Sequence, residues 1–306
     1  MPGDVLTTPP EYAESFSVSM SGSNRMEKNR ECLKPDAIAS KRLFLFLLIV
    51  FGLAWSLFAL FVFATDWVVG TFGELSGSHP LFILAVYAPA IAALLVIGFT
   101  AGWSGIGRFL SRLYLWRASP WWYLFLLLGF PIISFAGAAL KGNAMTAPMF
   151  TEPVAALLPL IGFMAILGPV EEIGWRGFAL PILQRWLVPF WAGLVLGVIW
   201  AIWHLPAFLL SGTPQAEWGF MPFFAGSVAC SVILTSLFNN ARGSILLAML
   251  FHFQMNNPLW PDAQPYDIYV YIATAVIIVW LNRSSLFSKA GAVTEVVPTP
   301  SSVGKG

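Results

Sequence analysis

The apolar residues of this chain are gathered into long runs, which lie between a polar stretch ending near residue 40 and another beginning near residue 288. We identify eight runs that are long enough, or nearly so, to cross a bilayer, for which a helix needs about 20 residues and at least about 17. They lie at about 43–65, 81–101, 121–140, 155–180, 190–210, 221–238, 243–257 and 266–282. The pattern therefore predicts an all-α, polytopic membrane bundle of about eight transmembrane helices.

The composition supports this class and divides the chain into three parts. Hydrophobic residues make up 58% and charged residues only 10% of the chain, which is too little charge to cover a soluble protein of this length. We expect residues 41–287 to form the membrane domain. Residues 1–40 and 288–306 are too polar to bury a core, so we predict a disordered cytoplasmic tail and a second disordered tail. The net charge of +1 gives no indication of a nucleic-acid partner.

The basic residues give an independent indication of topology. If the N-terminus is placed inside and the eight runs alternate, every one of the 16 basic residues except Lys141 falls on the inner side. Lysine and arginine are enriched in cytoplasmic loops, so this distribution predicts that both termini are cytoplasmic.

Three sets of polar residues interrupt the apolar runs. Each such group costs about 3 kcal/mol or more at membrane depth, so a partner or a function is expected for it. The sets are Glu171, Glu172 and Arg176 in the fourth run, His204 late in the fifth, and His252 with Asn256 in the seventh.

The spacing of these residues indicates how they can meet. Glu172 and Arg176 are four residues apart and can pair on one helix, while Glu171 is rotated by about 100° and points elsewhere. Pro169 is suited to the first turn of a helix that restarts after Gly168.

His252 and Asn256 also share one helix face, so a carboxylate, two imidazoles and a carboxamide can converge between three helices. Such a group can bind a metal, relay a proton or activate water. Taken singly, each set also has a structural explanation. Glu172 and Arg176 can form an ion pair, His204 can bind a carbonyl, and His252 and Asn256 can form hydrogen bonds between helices. Their joint occurrence in a chain so poor in charge favours an active site.

At these residues the chain resembles a known family. The pattern Glu-Glu-x-x-x-Arg, then aromatic-x-x-x-His, then His-x-x-x-Asn on successive apolar helices is similar to that of the CPBP intramembrane proteases. These include the type II CAAX prenyl endopeptidases and bacterial relatives linked to bacteriocin immunity. The resemblance covers roughly residues 120–282, and one departure is Trp200, where the family usually has Phe.

The resemblance implies an intramembrane endopeptidase that acts on a peptide or protein substrate at the lipid bilayer. In it, Glu171 and His204 would activate a water molecule, and His252 and Asn256 would stabilise the oxyanion. Glu172 and Arg176 would support the motif helix or bind the substrate terminus. We expect a multi-pass protein of a bacterial plasma membrane.

Metal dependence and two other functions stay open at this point. A zinc ion held by Glu171, His204 and His252 is the metalloprotease-like alternative, since these are zinc-type ligands. The chain lacks a His-Glu-x-x-His motif, so we favour metal-free water activation without a required cofactor. A proton- or ion-coupled transporter also uses buried Glu and His. A non-catalytic scaffold or immunity protein could use the same fold.

Overall fold

The computed structural model describes the backbone of residues 17–299 and the side chains of residues 37–213 and 215–299. The chain divides into two units between Lys41 and Arg42. From Ser17 onward the first unit is helical. Within residues 17–299 all regular structure is helical, and there is no strand.

Eight helices, which we label α1 to α8, form the frame of the protein. Their bounds are α1 Ser17–Phe63, α2 Ala88–Leu110, α3 Pro120–Lys141, α4 Val154–Trp186, α5 Pro189–Trp203, α6 Phe220–Asn240, α7 Ile245–Met255 and α8 Asp267–Leu281. Short helices lie at Thr65–Phe72, Pro80–Val86, Pro148–Thr151 and Arg283–Leu286, and 3-10 turns at Ser111–Tyr114, Ala144–Thr146, Leu205–Leu209 and Pro214–Glu217.

These helices confirm the predicted polytopic all-α bundle, because each of the eight apolar runs corresponds to one of them. In the described part of the chain, α1 to α6 contain segments long and apolar enough to cross a membrane, whereas α7 and α8 are apolar but shorter. The largest difference concerns the second run, which the structure splits at Tyr87 into Pro80–Val86 and α2. Pro89 lies in the first turn of α2, where its missing N–H is tolerated. The chain is a multi-pass membrane protein.

Two of the helices contain a π-helical turn just before a proline. In α3 this turn covers Phe125–Gly129 and precedes Pro131, and in α4 it covers Trp175–Ala179 and precedes Pro181. Proline has no N–H, so a carbonyl in the preceding turn loses its helical partner. Such a carbonyl needs another donor when no water is present.

Side chains from other parts of the bundle supply these donors. Gln254 at the end of α7 donates from Nε2 to the carbonyl of Leu126 at 2.7 Å. Arg112, which follows α2, donates from Nη1 to the carbonyl of Gly177 at 3.3 Å. The two π turns are therefore fixed by contacts that join α3 to α7 and α4 to the segment after α2.

Small residues allow α5 to lie directly against α6. A Cβ added at Gly193 would lie 2.6 Å from Oγ1 of Thr235, so no side chain fits there. Ser231 of α6 donates to the carbonyl of Gly193 at 2.8 Å. Close approach through glycine and serine is typical of membrane helices. Further contacts join α6 to α8, α8 to α3, and the second half of α4 to both α2 and α7.

The structure describes parts of both predicted tails. Residues 17–40 are part of α1, and an apolar helix extends into adjoining polar residues more easily than a new helix forms. Residues 288–299 contain no helix, but Val293 accepts a hydrogen bond from Gln184 at 2.8 Å and donates one to Asn239 at 2.9 Å. Composition does not reveal such bonds, since they use backbone groups that every sequence has. Residues 1–16 and 300–306 of the predicted tails lie outside the described residues.

Candidate active site

The candidate site is built around a turn that divides α4 into two halves. Residues 167–170 form this turn, and the helix resumes at Glu171. The N–H groups of Glu171 and Glu172 bond to the carbonyls of Gly168 and Pro169 at 3.0 and 3.1 Å. Both glutamates therefore lie in the first turn of the restarted helix, as the positions of the glycine and the proline predict.

Glu171 is buried and is held by α5. The indole Nε1 of Trp200 donates to Oε2 of Glu171 at 2.8 Å. The carbonyl of the same tryptophan lies 2.8 Å from Nδ1 of His204. A carbonyl only accepts hydrogen bonds, so Nδ1 of His204 carries a proton, and in the neutral ring Nε2 is then the acceptor. His204 is thus oriented as an acceptor towards its surroundings.

Glu172 is completely buried and accepts hydrogen bonds from two side chains. Arg176 donates from Nη1 to Oε1 of Glu172 at 3.0 Å, which is the pair expected from their spacing. Nδ1 of His252 lies 2.7 Å from the same oxygen, so it donates its proton there. A buried carboxylate is costly unless it is paired and hydrogen-bonded, and these contacts join α4 to α7.

His252 and Asn256 meet the turn of α4 at Gly168. A Cβ added to Gly168 would lie 2.9 Å from Nε2 of His252 and would overlap Nδ2 of Asn256. Only glycine leaves room for both side chains at this position. His252 is buried, whereas Asn256 at the end of α7 is exposed. The site therefore reaches the protein surface at Asn256.

The structure therefore brings all six predicted site residues into one region. They are Glu171, Glu172, Arg176, His204, His252 and Asn256. Two contacts of the region were missed from the sequence, namely the bond from Trp200 to Glu171 and the bond between His252 and Glu172. The replacement of the usual Phe by Trp was the signal for the first, because it adds an N–H donor. No spacing along the chain indicates the second.

The arrangement does not fit the zinc alternative. Among the side chains that the structure describes, no three from His, Cys, Asp and Glu lie close enough to hold one metal ion. The set named for zinc was Glu171, His204 and His252. The metalloprotease-like interpretation is therefore not supported.

Comparison with known proteins identifies related sequences for the central part of the chain. Residues 153–257 match the family model described as Type II CAAX prenyl endopeptidase Rce1-like, and this segment contains all six site residues. The chain is also similar to CAAX prenyl protease 2 of Methanococcus maripaludis, with 28% identity over 145 residues, or 44% of this chain and 54% of that protein. The chain thus matches about half the length of this curated relative. Both findings agree with the resemblance that the three motifs carry.

Proposed function

We propose that the protein is an intramembrane endopeptidase, on the basis of the site and of the match of residues 153–257 to the Rce1-like family model. One observation carries the proposal most strongly. His252 and Asn256 lie against the turn at Gly168, the buried Glu171 in the next turn is bound by Trp200, and the carbonyl of Trp200 binds His204. Polar groups of this kind are rarely placed at membrane depth without a function.

The first step is the activation of water by Glu171 and His204. Glu171 takes a proton from the water while the water oxygen bonds to the scissile carbonyl carbon. Nε2 of His204 accepts a hydrogen bond from the same water and orients it. The C–N bond then breaks, and the proton held by Glu171 passes to the leaving nitrogen. No covalent bond forms between enzyme and substrate in this sequence.

The second element is an oxyanion site formed by His252 and Asn256. Their Nε2 and Nδ2 atoms both lie against Gly168, so they can donate to one oxygen. Nδ1 of His252 already donates to Glu172, so a proton on Nε2 as well makes the ring an imidazolium. Donors that are held in a fixed direction in surroundings of low polarity stabilise developing negative charge strongly.

We propose that this chemistry needs no metal. The test is to strip the purified protein with a chelator and to measure peptide cleavage in the continued presence of the chelator. The proposal predicts that activity is kept. Turnover that is lost and then restored by one equivalent of zinc would contradict it.

We also propose that both termini are cytoplasmic and that the membrane is a bacterial plasma membrane. The distribution of basic residues supports this topology. Reporter fusions at residues 10 and 300 should both indicate the cytoplasm, and a fusion at Gly77 the outside. Termini on opposite sides would contradict the eight-span topology.

The decisive test of the reaction is mass spectrometry of peptides incubated with the purified protein in lipid nanodiscs. The panel pairs prenylated C-terminal peptides with the same peptides lacking the prenyl group, because the relative's name connects it with prenylated substrates. We expect products whose summed mass exceeds that of the substrate by one water, and none with Glu171→Ala. Products that persist in this variant would overturn the proposal. Activity that instead depends on an ion gradient would favour a transporter, and an unchanged phenotype in Glu171→Ala would favour a scaffold.

A further inference from the structure

Trp200 lies at the centre of the candidate site, although the motif predicts only an aromatic residue there. Its side chain is buried, and its indole N–H is bound to Oε2 of Glu171 at 2.8 Å. We propose that Trp200 is a positioning residue: its N–H fixes the carboxylate of Glu171 in the orientation needed to hold the reacting water. This inference rests on the proposed function and adds a residue to the same site.

Trp200 also contacts three other members of the site. Its carbonyl accepts the hydrogen bond from Nδ1 of His204, and its ring meets the ring of His252 edge to face at 5.6 Å between centroids. The guanidinium carbon of Arg176 lies 4.9 Å from the centroid of the indole ring, which is within the range of a cation–π contact. The side chain is therefore held on several sides, so its N–H has a fixed direction.

The hydrogen bond constrains one oxygen of Glu171 and leaves the other for the water. It is the close hydrogen bond to this carboxylate, at 2.8 Å, and the indole of Trp175 makes a further side-chain interaction with Glu171. If the carboxylate of Glu171 cannot rotate, it holds the reacting water in one position. Loss of this orientation lowers the cleavage rate even when the carboxylate itself is kept. Phenylalanine, the usual residue of the resembling motif, has no N–H. The bond is thus an addition in this chain, and its loss should reduce turnover without abolishing it.

The neighbouring tryptophan provides a matched control. The Nε1 atom of Trp203 is buried on the same helix but has no hydrogen-bond acceptor among the described residues. Trp200→Phe and Trp203→Phe therefore remove the same atoms, but only the first removes a hydrogen bond. We expect Trp200→Phe to lower kcat about tenfold with KM unchanged within about twofold, and Trp203→Phe to leave kcat within about twofold of wild type.

A closer analogue separates the N–H from the shape of the ring. Replacement of Trp200 by 3-(3-benzothienyl)alanine keeps the bicyclic ring and puts sulfur in place of the N–H. The proposal predicts the same loss of kcat, about tenfold, in a protein whose thermal unfolding matches wild type. Wild-type kcat in this analogue would overturn it, even if Trp200→Phe failed to fold.

A double variant distinguishes positioning from packing. In the Glu171→Gln background the base is absent, so Trp200→Phe should lower the residual kcat by less than about twofold. The same tenfold loss in both backgrounds would indicate packing and contradict the inference. If Trp200→Phe is fully active while Glu171→Gln is not, the positioning role fails and the proposed function stands. If Glu171→Gln is itself fully active, the proposed function fails.

Discussion

The two halves of α4 are joined by one turn and differ in how deeply they are buried in the protein. In the first half, Val154–Ile166, only Leu157 is buried. In the second half, every residue from Glu171 to Gln184 except Ile173 is buried against the rest of the protein. The first half contains no charged or amide side chain, whereas the second contains Glu171, Glu172, Arg176, Gln184 and Arg185.

This difference shows what distinguishes the functional part of a membrane helix. Lipid chains are as apolar as a protein interior, so hydrophobicity alone does not tell which half faces lipid. The polar groups do, because each of them needs a partner that lipid cannot supply. We infer that the first half of α4 serves to anchor the helix in the bilayer, and the second half to carry the site.

The largest effect on folding is expected for Arg176→Ala in the second half. This change leaves Glu172 buried with only His252 as its partner, and breaking a buried ion pair costs about 3–5 kcal/mol. The free energy of unfolding should fall by this amount in a denaturant titration of the protein in detergent micelles, and cleavage should fall with it. Arg117→Ala, at an exposed arginine, is the control and should change stability by less than about 1 kcal/mol. Equal stability of the two variants would mean that the buried pair does not support the fold.

The comparison of the two halves is tested more directly by one substitution made in each. Leu180 is completely buried and Leu158 is 61% exposed. Leu180→Ala leaves a cavity and should cost about 2–5 kcal/mol of unfolding free energy. Leu158→Ala leaves no cavity inside the protein, so it should cost less than about 1 kcal/mol. Similar losses in both variants would contradict the burial pattern of α4.

The sequence predicted the helices better than the contacts between them. Glu172 and Arg176 could be paired because both lie on one helix at a fixed spacing. The contact of Glu172 with His252 joins residues that are 80 positions apart and lie on different helices, so helical spacing does not predict it. The same holds for the donation from Gln254 to Leu126, which depends on how α7 lies against the π turn of α3. Hydrophobicity did not distinguish the two halves of α4, and only the polar residues of the second half indicated which one is buried.

Smaller losses are expected for two substitutions near the end of α7. One of them should affect turnover alone, and the other should affect turnover and stability. Asn256→Ala should lower cleavage by about 10²-fold with little change in stability, because its side chain is exposed. His252→Ala should lower cleavage by a similar factor and also reduce stability, because it removes a partner of Glu172. Both losses should be less than additive with Glu171→Gln. Full turnover in well-folded Asn256→Ala would remove this residue from the oxyanion site.

The central claim is that the carboxylate of Glu171 acts as the base, and it is tested most directly by the cleavage rate of Glu171→Gln. This change keeps the size of the side chain and an oxygen that can accept from Trp200, but it removes the basic group. Glu152→Gln, at an exposed glutamate before α4, is the matched control. On protein that elutes as a single folded species, we predict a rate lowered by about 10²-fold or more for Glu171→Gln and unchanged for Glu152→Gln. A wild-type rate in folded Glu171→Gln would contradict the account.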